Sequence, residues 1–501
     1  MKKSEKNVEN TVKGVRTSVH KRKHHTRQKA IQFAAEEAAK GEILLTESGG
    51  FLEPDDGETS LQFNQTDIKA NVDIASAAKS FELKLENFGP YRCRYTRNGR
   101  HLLLGGKIGH VAALDWVTKK LHCELNVMES VHDVCWLHLE TMFAVAQKQW
   151  VYIYDHQGIE LHCVKRLNRV SKMEFLPYHF LLATAGETGY LSWLDISIGE
   201  IAGQFNTRLG PLNLLSQNPY NACLCVGHAK GVVSMWSPTV REPLAKILCH
   251  KAPMTALHVD PRGQHLVTAA VDRTVKVWDV RKLVGPLQSY HFNSVVGNVA
   301  FSQKDLLAVS MGNVVEIFND CIYNTQKKPY LRHRFSSHIS NINFVPYEDV
   351  LGVGVKHGFA SLLVPGCGEP NFDAHEANPY QTKTQRREAE VKALLEKIQP
   401  DLITLDPTKI AQVDTVTLRD KIEAKKKLLH VKAPKISYEG KNKMKGRGGV
   451  AKMARNKKIV NELAKKEFVK KVKALKESGG KNKILKATKP ASALDRFLPK
   501  K

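Results

Sequence analysis

The chain has 501 residues, 42% of them hydrophobic and 7% aromatic, and a formal net charge of +26. No run of about 18 or more apolar residues occurs, which excludes a membrane-spanning helix; the opening MKKSEKNVENTVKG is basic with no apolar stretch behind it, so no secretory signal is expected. Residues 421–501 hold 27 Lys+Arg against 6 Asp+Glu and residues 1–40 hold 11 against 4, leaving 38 against 40 between them, so a near-neutral middle joins two basic ends suited to a polyanion.

An N-terminal extension is expected over residues 1–79. Its stretch 26–40 is Ala-rich, lacks Pro and Gly and stops before Gly41, which predicts a helix. Lys21, Arg22, Lys23 and Arg27 at its start are candidate RNA contacts. A solvated tail with a nuclear-localisation patch stays open beside an arm that docks on RNA or on a partner. The next segment, GGFLEPDDGETSLQFNQTDIKANVDI (49–74), mixes scattered large apolar residues with turn formers and is expected to run extended over the surface of the domain formed by residues 80–366.

Residues 80–366 repeat. Similar segments end on Leu114, Tyr154, Leu194, Trp236, Trp278, Phe318 and Val364, in steps of 40 to 46 residues. A β-rich period of this length predicts an all-β fold, a seven-bladed propeller of four-stranded blades. In the clearest unit, APMTALHVD (252–260), HLVTAAV (265–271), TVKVWDV (274–280) and LQSYHF (287–292) read as strands a to d, separated by turn chemistry at PRG and DR. The last c strand has no d strand after it, whereas SFELKLE (80–86) stands just before the first a strand. Pairing of 80–86 with 359–364 is therefore expected, because it removes the open sheet edge.

This unit resembles the WD-repeat family. His250, Thr268, Asp272 and Trp278 match that family's structural tetrad, in which a His on the d–a loop meets an Asp in the b–c turn, tied to a hydroxyl and the Trp ring nitrogen. The role implied is structural: it satisfies polar groups that would otherwise be buried unpaired. No nucleophile or second carboxylate is placed by spacing to make Asp272 catalytic. Most other blades lack the Asp, and Leu, Tyr or Phe takes the place of Trp in several, so apolar packing is expected to hold them. The nine cysteines are scattered without a CxxC pair and read as free thiols in a reducing compartment; no metal site and no cofactor are expected.

A C-terminal extension occupies 367–501. Val391, Leu394, Leu395 and Ile398 fall at i, i+3, i+4 and i+7, predicting an amphipathic helix near 382–398, stopped by Pro400, whose stripe needs the propeller side or a partner to cover it. Further helices are expected near 415–430 and 451–477. Lys441, Lys443, Lys445, Arg447, Lys452, Arg455, Lys457 and Lys458 surround glycines and are candidate RNA contacts. Lysine outnumbers arginine there and aromatics are few, which suits contacts to the phosphate backbone rather than readout of bases.

Taken with the propeller, GEPNFDAHEANPYQTKTQRREAEVKALLEKIQPDLITLDP (368–407), GGFLEPDDGETSLQFNQTDI (49–68) and FGPYRCRYTRNGRHLLLGGKIGHVAALDW (88–116) resemble a more specific family. That family is the nucleolar WD-repeat subunit of the small-subunit processome, with its own C-terminal domain. The resemblance implies a non-catalytic assembly factor in the nucleus and nucleolus. Its implied partners are pre-rRNA or small nucleolar RNA and other processome proteins, further propellers included, with no membrane and no small-molecule substrate. A WD-repeat adaptor in chromatin or in a ubiquitin-ligase complex is the alternative. A propeller enzyme would need converging carboxylates, His or a metal in the central channel, and the sequence offers no such cluster.

Overall fold

The computed structural model describes residues 17–42, 46, 48–55, 58–326, 328–407 and 449–477. The N-terminal helix α1 spans Ser18–Glu42, eight residues earlier than the Ala-rich stretch suggests. Lys and Arg are good helix formers, so the basic run 21–27 continues the helix rather than preceding it, and Gly41 lies inside it. Short helices α2 (Gln65–Asn71) and α3 (Ile74–Ala77) come next.

Strand β1 (Glu82–Lys84) precedes blade 1, made of β2 (Tyr91–Tyr95), β3 (His101–Gly106), β4 (His110–Asp115) and β5 (Lys120–Asn126). Blade 2 holds β6 (Asp133–Trp136), β7 (Met142–Ala146), β8 (Val151–Asp155) and β9 (Glu160–Val164), and blade 3 holds β10 (Val170–Leu176), β11 (Leu181–Gly186), β12 (Tyr190–Asp195) and β13 (Glu200–Asn206). Blade 4 holds β14 (Leu214–Gln217), β15 (Leu224–Gly227), β16 (Val232–Trp236) and β17 (Ala245–Leu248). Blade 5 holds β18 (Met254–Val259), β19 (His265–Ala270), β20 (Thr274–Asp279) and β21 (Gln288–His291). Blade 6 holds β22 (Asn298–Phe301), β23 (Leu307–Met311), β24 (Val314–Phe318) and β25 (Leu331–Arg334). Blade 7 takes β26 (Ile339–Phe344), β27 (Val350–Val355) and β28 (Gly358–Leu363) and is completed by β1.

All seven sheets are antiparallel, and the first strand of each blade touches the first strand of the next, with β26 returning to β2. The ring is closed by β1 on β28 in the register Glu82↔Ala360, Leu83↔Phe359, Lys84↔Gly358. Burial tracks position. The second strands, such as β3, β11 and β19, are buried at every residue, because neighbouring blades cover both of their faces; their sequences are accordingly mostly apolar, with no polar alternation. The outermost strand β13 instead alternates between exposed and half-buried, as a one-sided strand does.

The segments that flank the ring directly, 49–79 and 368–406, lie on the face made by the a–b and c–d turns. On the N-terminal side, the buried Gln65 donates to and accepts from the backbone of Leu363 (2.9 Å each way), Leu52 N donates to Tyr330 Oη at 2.9 Å, and Ile68 of α2 joins the core of blades 6, 7 and 1. On the C-terminal side, helix α4 (Lys383–Leu395) belongs to a belt over blades 1 to 4. The compact unit holding the propeller runs to Ile410; helix α5 (Gly449–Glu477) belongs to a second unit, Ala411–Lys501.

Candidate nucleic-acid interface

In α1, Arg22, Lys23 and Arg27 share one face with Val19, Thr26 and Ala30, as the helical spacing i, i+3, i+4 requires. Lys21 is exposed on another side of the helix. Ile31 and Phe33 are exposed too, so the side chains of α1 have no apolar cover of their own. At the other end, Lys441, Lys443, Lys445 and Arg447, and the helix expected near 415–430, lie outside the described residues. Lys452 falls in α5, where Arg455, Lys457 and Lys458 are exposed, Arg455 and Lys458 one turn apart. The structure therefore arrays the candidate cations of each arm along helices, three on one face of α1 and two on one turn of α5.

The belt is held by polar contacts. Thr382 caps α4 with a reciprocal box: its hydroxyl accepts from Gln385 N at 3.3 Å and Gln385 Oε1 accepts from Thr382 N at 3.0 Å. The helix face turned to the propeller carries Arg386, paired with Glu140 at 2.8 Å, and Glu390, paired with His138 at 3.2 Å. Lys397 reaches Asp195, and Ile398 N donates to Tyr178 O at 3.0 Å. That last bond draws the chain onto blade 3 and ends the helix at Leu395, so Ile398 stands beyond it. Val391 and Leu395 point outward, 57% and 82% exposed; the propeller leaves the stripe of Val391, Leu394 and Leu395 uncovered. The belt's own anchor is Ile403, 2% exposed among Leu215, Leu224 and Trp236. Its carbonyl accepts from Ser237 Oγ at 2.8 Å, and Asn221 Nδ2 donates to Leu405 O at 3.0 Å. Sequence reading missed Ile403 because the run Leu402–Ile403–Thr404–Leu405 is too short to show a period.

In blade 5 the tetrad residues meet through a fifth. Trp278 Nε1 donates to Thr268 Oγ1 at 3.0 Å, and Thr268 Oγ1 lies 2.9 Å from His250 Nε2. His250 Nδ1 lies 3.1 Å from Thr274 Oγ1, which donates to Asp272 Oδ1 at 2.6 Å. One proton direction satisfies the chain, from indole to hydroxyl to imidazole to hydroxyl to carboxylate, with the ring neutral and its hydrogen on Nδ1. Burial pushes the His250 pKa down, against the pull of Asp272. Thr274 thus stands between His250 and Asp272, whose direct separation is 3.5 Å. Blade 4 builds a shorter version that spacing from Asp272 does not reveal: Trp236 Nε1 donates to Ser234 Oγ at 2.8 Å, beside His228 Nε2 at 2.5 Å.

The inner strands carry a charge cluster that the sequence does not show. Arg94 grips Glu174 with both ends of its guanidinium, at 2.6 and 3.0 Å, and donates to Met173 O at 3.2 Å. Arg92 pairs with Asp133 at 3.2 Å, whose other oxygen accepts from Met173 N at 3.0 Å. Burial would raise the Asp133 carboxyl, but Lys172, Arg92 and Arg94 hold it below the usual range. Burial lowers Lys172 to about 8, with Asp133 opposing. Arg92 with Asp133 and Arg94 with Glu174 thus tie blades 1 to 3 together. Among the described residues no group of three or more His, Cys, Asp or Glu is arranged to hold a metal ion. The cysteines are free, with Cys163 alone not fully buried.

Two family models match. Residues 241–279, the heart of blade 5, match the WD domain, G-beta repeat, and residues 329–406, from β25 to the end of the belt, match the BING4CT (NUC141) domain. The chain is 50% identical to WD repeat-containing protein 46 of Mus musculus over 472 residues, 93% of this chain and 76% of the relative. It is 49% identical to the Homo sapiens protein of the same name over 467 residues, 92% of this chain and 76% of that one. Against U3 small nucleolar RNA-associated protein 7 of Saccharomyces cerevisiae, identity is 41% over 410 residues, 78% of this chain and 74% of the relative.

Proposed function

The chain belongs to the WD repeat-containing protein 46 family, and from that premise we propose that it is a ribosome-biogenesis assembly factor, a scaffold of the small-subunit processome. The observation that carries this reading is the 41% identity to U3 small nucleolar RNA-associated protein 7, which extends over 78% of the chain rather than over the repeat alone. In this reading the propeller and belt form a rigid hub. The two arms, with net charges of +7 over 1–40 and +21 over 421–501 (11 − 4 and 27 − 6), engage pre-rRNA or small nucleolar RNA through phosphates. The outward stripe of Val391, Leu394 and Leu395 takes a neighbouring processome protein. The role is non-catalytic, and the chain works in the nucleolus. Support for a structural role comes from the ion pairs Arg92–Asp133 and Arg94–Glu174, which tie the inner strands of neighbouring blades together.

The test is crosslinking followed by RNA sequencing on the full chain, beside a variant with Gln at the candidate cations of both arms and a variant ending after residue 407, which keeps the belt. Crosslinks to U3 small nucleolar RNA and pre-18S RNA that fall sharply in both variants are expected. Co-purification with chromatin or a ubiquitin ligase that survives RNase, with no such crosslinks, would remove the proposal.

A further inference from the structure

The propeller, residues 80–366, holds 29 Lys+Arg against 22 Asp+Glu, a net of +7 (29 − 22), and that modest total conceals a division of charge between its two faces. Residues 49–79 and 368–406 cover the side of the a–b and c–d turns. The opposite side, made by the b–c turns and the loops joining successive blades, carries on blades 2 to 4 the exposed cations Lys148, Lys165, Arg166, Arg169, Arg208 and Lys230. One carboxylate, Glu187, lies in the same turns and loops, and among the described residues none of the six cations is in an ion pair.

These cations ride on a fixed rim. Arg169 N donates to Gln149 O at 2.7 Å and Glu187 N to Arg169 O at 2.9 Å, so the loop between blades 2 and 3 is fastened to both neighbouring turns. Thr207 N donates to Gly189 O at 2.9 Å and Cys249 N to Gly231 O at 3.0 Å, repeating the clasp at the next two junctions. Arg169 and Arg208 hold left-handed backbone positions, φ 48° and 57°, where Gly or Asn would fit at lower cost. Aromatic faces stand between the charges. Lys165 Nζ lies 5.4 Å from the Trp150 ring centroid, and Tyr190 is 44% exposed.

We propose that this face of blades 2 to 4 is a second RNA-binding surface, separate from the arms, that takes the phosphate backbone of an RNA strand and stacks unpaired bases on Trp150 and Tyr190. The proposal rests on the RNA-scaffold reading and adds to it a rigid site on the propeller itself. Unpaired cations distributed along an arc fit a chain of regularly spaced phosphates, and the planar rings between them fit bases. An acidic protein segment would match the charges but make no use of the exposed Tyr190 ring.

The experiment uses the full chain and a mixed-sequence single-stranded RNA of about 30 nucleotides, its dissociation constant measured by fluorescence anisotropy between about 50 and 300 mM salt. One variant carries Lys148→Gln, Lys165→Gln, Arg166→Gln and Lys230→Gln; another carries Gln at the arm cations. The face variant is expected to bind roughly ten-fold more weakly, with the slope of log K against log salt reduced by up to about 3, since each lost contact to a single strand removes about 0.7. Its unfolding midpoint should match the parent, because all four side chains are exposed, and Lys→Arg at the three lysines should restore binding. An unchanged affinity and slope in the face variant would overturn the proposal. So would a poly-glutamate peptide that loses its binding in the face variant while RNA binding stays constant, since it would assign the face to an acidic protein. Loss in the face variant alone would sink the arm reading and leave this one standing, and loss in the arm variant alone would do the reverse.

Discussion

Trp278 and Thr268 share one hydroxyl: the indole Nε1 donates to Oγ1 at 3.0 Å, and the same oxygen lies 2.9 Å from His250 Nε2. Thr268 is fully buried, so its hydroxyl is the only joint between the ring and the rest of the chain that ends on Asp272. Thr268→Val keeps the shape and strands two buried nitrogens, which should cost about 2 kcal/mol. Thr268→Ser should cost well under half of that. Denaturant midpoints of the two variants check the difference; equal midpoints would show that the hydroxyl does not matter.

The Arg94–Glu174 pair should behave asymmetrically. Arg94→Met alone leaves a buried carboxylate without its partner, and a loss of about 3–5 kcal/mol is expected. The double variant Arg94→Met with Glu174→Met should recover most of it, because two apolar side chains replace a desolvated pair. A double variant no more stable than the single one would count against this account.

Ile403 should govern the belt more than the ring. Ile403→Ala removes methyl groups from a pocket of blades 3 and 4 and should cost about 2–4 kcal/mol locally. Hydrogen exchange is the readout: amides of 383–406 should lose protection while β19 and β20 keep theirs. Uniform loss across the ring would mean that belt and propeller unfold as one.

Acid should weaken the propeller before its carboxylates titrate. Burial lowers His101, His228 and His258 from 6.5 to about 4 each, and Phe301 N donates to His258 Nδ1 at 3.3 Å, which fixes a neutral ring. The unfolded chain therefore binds more protons between 6.5 and 4, and stability falls as pH drops through that window, by about 2 kcal/mol per histidine at about pH 5. Thermal unfolding at about pH 7 and about pH 5 tests this, and His258→Gln should narrow the gap. A midpoint that does not move between the two would refute it.

The ring was legible because each blade states itself anew: the series from Leu114 to Val364 marks the strands that sit between two neighbours and are apolar for that reason. The end of α1 nearest Ser18 was hidden because Lys and Arg signal charge and helix at once. Ile398 looked helical by spacing, yet a backbone bond to Tyr178 ends the helix first. Arg94 and Glu174 are 80 positions apart in different blades, and no period in the sequence couples them. Thr274 escaped notice because a Thr after a turn is ordinary. The distribution of Lys148, Arg166 and Lys230 onto one face is a product of topology, invisible in a summed charge.

The pairing of Leu83 with Phe359 also has a temporal side. On a translating ribosome β1 emerges roughly 270 residues before β28, which at about 5–20 residues per second is a wait of some 15 to 50 seconds. By its end six complete blades stand as an open arc with unpaired strand edges at both ends. A chain interrupted anywhere before Gly358 can never latch, so the cell has a simple way to tell finished molecules from fragments: the latter keep a sticky edge that chaperones and proteases can grasp.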